Sequence, residues 1–135
     1  MRKNKLKGLM RFLPAIIWMA IIFWFSSRQR VAVSGNYLLS FIFFKSIHFV
    51  EYGILFLLWK LALYKSPHGT KIALFISILY ATSDELHQTL VPTREGRARD
   101  VFIDTLGITF FWYFISKKFE KYILENKFFK KYISV

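Results

Sequence analysis

The run from Leu38 to Tyr64 constrains this chain more than any other stretch. It stays apolar for long enough to cross a bilayer as an α-helix, which takes about 20 residues. Three polar residues interrupt its first half: Lys45, His48 and Glu51. Their spacing of i, i+3 and i+6 sets them on neighbouring positions along one side of a helix. An ionisable side chain at membrane depth costs at least about 2.5 kcal/mol, and more without a partner. A chain that keeps several such groups is expected to pair them or to use them.

Three further apolar runs surround this one. Phe12 to Phe25 follows the basic arm Arg2, Lys3, Lys5, Lys7 and Arg11, the pattern of a secretory signal. Leu9 to Phe25 as a helix would span roughly 25 Å, enough to cross a slightly thinned bilayer. Bulky residues stand where a cleavage site needs small ones, at Trp24-Phe25-Ser26-Ser27, so the expectation is an uncleaved first span. Pro14 falls in its first turns, where a missing N–H does least harm. Ser26 to Tyr37 reads as a polar connection, and Lys65-Ser66-Pro67-His68-Gly69 as a short turn. Ile72 to Val91 makes a third span and Asp100 to Ser116 a fourth. The tail beyond carries six lysines, with Phe119, Tyr122, Ile123, Phe128, Phe129, Tyr132 and Ile133 at near-helical spacing. That suits an amphipathic helix on an anionic leaflet, or an extension of the fourth span.

The fold expected is therefore an all-α membrane protein, one domain over residues 1–135: a bundle of four transmembrane helices with a basic amphipathic C-terminal tail. With 55% hydrophobic residues and 20% aromatic, the chain is too apolar for an ordinary soluble domain, yet its net charge is +12. Charge in loops and apolar residues in lipid reconcile the two. Nucleic-acid binding is set aside, because the lysines flank apolar segments and leave no soluble basic face. The four tryptophans, Trp18, Trp24, Trp59 and Trp112, read as lipid-facing or interfacial anchors. Cysteine is absent, which removes disulfides, thiol nucleophiles and thiolate metal sites. Lysine and arginine number thirteen in the two ends and the second loop, against five in the first and third loops. The positive-inside rule then sets both termini in the cytoplasm, in a multi-pass cell-membrane protein.

In that topology the polar residues of three runs meet at the outer boundary. Asp84, Glu85, His87 and Gln88 close the third run, Arg94, Arg97 and Arg99 fill the turn, and Asp100 and Asp104 open the fourth. Asp84, His87 and Gln88 share a helix face, with Glu85 about 100° away, aimed at a different neighbour. Asp100, Asp104 and Gly107 share another face, and Gly107 would let a helix approach closely. Carboxylate/His pairs at i, i+3, here His48/Glu51 and Asp84/His87, are spaced as in metal sites of helical bundles. Lys45 and the arginines compete for the same acids, so ion pairing is the simpler account, and neither a metal nor another cofactor is expected. Arginine forks suit phosphate and carboxylate oxygens.

These residues resemble the VanZ-like family, named for a protein linked to resistance to the glycopeptide teicoplanin. The family's Lys-x-x-His-Phe-x-x-Tyr element is matched by Lys45-Ser46-Ile47-His48-Phe49-Val50-Glu51-Tyr52. Its Ser/Asp-Glu-x-x-Gln element is matched by Asp84-Glu85-Leu86-His87-Gln88, and Pro-x-Arg by Pro92-Thr93-Arg94. Asp-x-x-x-Asn-x-x-Gly is matched by Asp100 to Gly107, with Asp104 standing where the family has Asn. Ser26-Ser27 resembles the family's Ser-Ser-Gln after the first span, with Arg28 intervening before Gln29. The resemblance covers about residues 12 to 116.

Together these readings predict an envelope protein whose outward polar pocket binds an anionic cell-wall or lipid-linked ligand, among membrane lipids. Polyprenyl phosphates and peptidoglycan precursors are the available anions. The ligand-binding candidates are Lys45, His48, Glu51, Asp84, Glu85, His87, Gln88, Arg94, Asp100 and Asp104. The resemblance implies reduced sensitivity to teicoplanin-type glycopeptides. The alternative is an enzyme acting on a lipid-phosphate or peptidoglycan-precursor substrate, with Glu85 or His48 as acid/base and Arg94 as anion clamp. A transporter is a third reading and would need an oligomer of four-span chains.

Overall fold

A computed structural model describes residues 8–29, 35–94 and 96–126, in which helices joined by turns are the only regular structure, with no strand among the described residues. In chain order they form α1 (Leu13–Ser26), α2 (Tyr37–Ala62), α3 (Gly69–Gln88), α4 (Ala98–Phe110), a π-helical segment (Phe111–Ile115) and α5 (Ser116–Glu125). Pro14 lies at the start of α1, and Asn36 caps α2 by accepting from the backbone N–H of Leu38 at 2.9 Å. That side chain satisfies one of the donors every helix start leaves unpaired. The polar connection expected from Ser26 to Tyr37 is helical at both its ends.

Helix α2 is the central element and touches α1, α3, α4, the π-helical segment and α5. The core gathers Ile22 of α1, Tyr52, Leu55, Phe56 and Leu57 of α2, Ala73 and Ala81 of α3, and Ile108 of α4. Glycines set the close approaches. A Cβ on Gly107 would run into the backbone carbonyl of Phe49, and one on Gly53 into the ring of Phe111. So α4 lies directly on the α2 backbone, and the π-helical segment drops an aromatic ring into the gap that Gly53 leaves.

Outside this core many large apolar side chains are exposed, among them Phe23, Trp24, Leu38, Phe43, Phe75, Leu86, Phe102 and Tyr113. Water does not favour such a surface, whereas lipid matches it. Among the described residues two helices are long and apolar enough to cross a membrane, Gly8–Ser26 and Tyr37–Ala62. The polar end of α3 lowers its mean hydropathy, and α4 on its own has only 13 residues.

Beyond the π-helical segment, α5 packs back on the bundle: Ile123 is buried, and Glu120 pairs with Lys60 at 3.0 Å. Phe128, Phe129, Tyr132 and Ile133 of the expected tail helix lie outside the described residues. Two of the four tryptophans are half-buried and face the bundle. Trp18 donates its indole N–H to the Glu51 carbonyl at 3.0 Å, and Trp59 packs against the core.

Candidate functional site

One end of the bundle collects the end of α1, the first half of α2, the end of α3, the turn after it and the start of α4. Ser26, Lys45, His48, Asp84, Glu85, Gln88, Asp100 and Asp104 are all buried there. They sort into two groups on either side of α2 and α3.

The first group centres on Asp84. Ser26 donates to its Oδ1 at 2.5 Å, and Tyr52 and Gln88 donate to its Oδ2 at 2.9 and 2.8 Å. Three donors from three helices stabilise the carboxylate without a cation in contact, because hydrogen bonds to a charged acceptor are the strong ones. His87 does not join the acids. Its Nε2 lies 3.0 Å from Ser27 Oγ, and its ring stacks on Phe23. Arg94 also turns toward α1: its Nε donates to the Arg28 carbonyl at 2.8 Å and an Nη to the Phe25 carbonyl at 2.9 Å. Its other Nη reaches the side-chain oxygen of Gln88 at 3.5 Å. The last carbonyls of a helix lack internal partners, and here an arginine caps them while joining the turn to α1.

The second group centres on Lys45. Its Nζ lies 2.8 Å from Asp100 Oδ2 and 3.8 Å from Glu85 Oε1, so Asp100 is the closer partner. Arg99, more than half exposed, adds a second cation at 3.3 Å from Asp100. Glu85 points away from the Asp84 face, as the 100° offset requires, and its Oε2 accepts from the Arg97 backbone N–H at 3.3 Å. Gly96 packs against the Glu85 carbonyl where a Cβ would not fit. The arginine turn is thereby folded onto the end of α3. His48 Nδ1 lies 3.7 Å from Asp104 Oδ1, beyond hydrogen-bond reach.

Neither i, i+3 pair forms a ligand pair. His48 turns to Glu85 and Asp104 rather than to Glu51, and His87 turns to Ser27 rather than to Asp84. Between α1, α2 and the turn lies a cavity of about 300 Å³. Ile22, Phe25, Phe44 and Ile47 form its apolar walls, and Ser26, His48, Glu51 and Arg94 its polar ones. Of the two acid/base candidates His48 lines it, while Glu85 is not among the described residues that do.

Sequence reasoning left Ser26, Ser27 and Tyr52 off the site. Tyr52 carried two signals, closing the Lys-x-x-His-Phe-x-x-Tyr element and standing one turn beyond His48 on the same face of α2. The two serines carried their resemblance to the family's Ser-Ser-Gln element and their place at the end of the first apolar run.

A family model described as VanZ/LLP1 matches residues 11–119, a span that contains every side chain of this polar end and nearly coincides with the motif resemblance. No curated protein and no solved structure matches the chain.

Proposed function

The chain belongs to the VanZ/LLP1 family, and from that premise we propose that it is a multi-pass protein of the cell envelope that holds an anionic lipid or lipid-linked cell-wall precursor. The observation that carries this reading is the cavity between α1, α2 and the Arg94 turn. It offers an apolar wall for an acyl or prenyl chain beside a polar wall that includes an arginine and a histidine. A lipid phosphate has the same division. Helices α3 and α4 complete four spans in this reading. Residues 98–115 give roughly 27 Å of helical rise, close to the hydrocarbon thickness of a bilayer. With thirteen basic residues in the ends and second loop against five in the other loops, both termini lie in the cytoplasm and the polar end faces outward. Sequestering a cell-wall precursor or altering its display would lower sensitivity to teicoplanin-type glycopeptides.

Native mass spectrometry of the full chain, extracted with its lipid, tests the binding. A co-purified phosphate-bearing lipid that is lost in Arg94→Ala and retained in Arg99→Ala is the expected result. Bare wild-type protein, or equal retention in both variants, would overturn it.

A further inference from the structure

We infer that His48, Glu85 and Asp104 form a binding site for one divalent transition-metal ion of the zinc and manganese class; it shares His48 with the cavity wall described above and does not rest on the lipid reading. Helices α2, α3 and α4 contribute one residue each, and a ligand atom from every one lies within 4.8 Å of the other two. All three side chains are more than nine-tenths buried.

A second observation is independent of that proximity. His48 Nδ1, Glu85 Oε1 and both carboxylate oxygens of Asp104 are buried without a hydrogen-bond partner. Buried polar atoms are almost always partnered, and a buried carboxylate without compensation is costly. The neighbouring acids have no such deficit. Asp84 takes three donors, and Asp100 takes Lys45 and Arg99. Lys45 sits 2.8 Å from Asp100, so its charge is already matched, and its 3.8 Å distance to Glu85 is too long for a hydrogen bond.

What remains is two acids and one imidazole from three helices, their ligand atoms within 4.8 Å of one another, with Lys45 committed to Asp100 and only within long ion-pair range of Glu85. A dication neutralises the two carboxylates and takes the imidazole nitrogen as a third ligand. Nitrogen and carboxylate oxygen together suit zinc and manganese better than a hard oxygen-only ion. Donor atoms around an ion at about 2.1 Å stand about 3.4 Å apart, so small side-chain rotations inward complete the set.

The test uses untagged full-length protein in detergent, stripped with chelator and titrated with Zn²⁺ or Mn²⁺. Bound ion is read by elemental analysis and thermal unfolding is followed in parallel. One ion per chain and a raised unfolding midpoint are expected. Asp104→Asn should weaken binding by at least about tenfold, since it removes one of three ligands. His87→Ala, which alters a nearby histidine outside the trio, should bind as wild type does. In chelator Asp104→Asn should unfold no earlier than wild type, and with metal present clearly earlier. No ion on wild-type protein, or equal binding by Asp104→Asn, would overturn the assignment. So would a midpoint of the wild type that metal leaves unchanged.

Discussion

Lys45 stands between two acids and favours one of them, Asp100 at 2.8 Å over Glu85 at 3.8 Å. Removing one member of a buried pair typically costs about 3–5 kcal/mol, because the other charge is left uncompensated, while removing both costs less than the sum. Lys45→Met and Asp100→Asn should therefore each lower the yield of folded, detergent-extractable protein, and the double variant should recover part of it. The cycle of Lys45 with Glu85 should show weaker coupling. Equal coupling in the two cycles would contradict the geometry. Asp84 is held by hydrogen bonds, and Tyr52→Phe removes one of three donors to this buried carboxylate. Such bonds are worth about 1.5–3 kcal/mol, so the variant should unfold earlier than wild type by that order, against no change if Ser26 and Gln88 suffice. The residue types of the site were legible in the sequence, because charged groups inside apolar runs stand out. Partner choice was not. Lys45 has several acids at similar depth, and only the helix packing selects Asp100. Arg94 matched an anion-clamp pattern, yet it caps α1 through two backbone carbonyls that no side-chain pattern reveals.

The elements follow from periodicity where one face is polar and the other apolar. The 100° step between Asp84 and Glu85 was enough to send them to different neighbours, and it did. Boundaries shifted by a few residues at each end. Asn36 starts α2 by capping it, and Gly69 admits the tight turn between α2 and α3 because a Cβ there would meet the Leu63 carbonyl. The π-helical segment after α4 had no sequence signal, since its Phe111-Trp112-Tyr113-Phe114-Ile115 run reads as ordinary span. Its ring at Phe111 is matched by a missing side chain at Gly53, on a different helix. Tryptophan in an apolar run reads as an anchor, and periodicity alone does not show that Trp18 and Trp59 also pack in part against the core. Gly107 shows how firmly the elements are set. Its neighbour is the Phe49 backbone, which cannot rotate aside as a side chain can. Gly107→Ala should destabilise the protein by about 1–3 kcal/mol, the usual cost of overpacking. Gly8→Ala, with nothing within 4 Å, serves as the control. Unfolding midpoints in detergent decide the point, and equal midpoints would mean that α2 and α4 are not in close contact.

For the molecule as a whole, polar side chains from separate segments gather at one end of the bundle, and the proposed topology turns that end outward. The ends of α1 and α3 and the starts of α2 and α4 share that end, while the turn between α2 and α3 lies at the other. The absence of cysteine makes single-cysteine labelling clean. Gly35 has open space around it and Thr93 is exposed, so both accept cysteine more readily than Gly96, which is pressed against Glu85. Exposed His68 reports the opposite side. Whole cells treated with a membrane-impermeant thiol reagent should label Gly35→Cys and Thr93→Cys and leave His68→Cys unlabelled until the membrane is broken. Labelling of His68→Cys in intact cells, with Gly35→Cys and Thr93→Cys protected, would contradict the account.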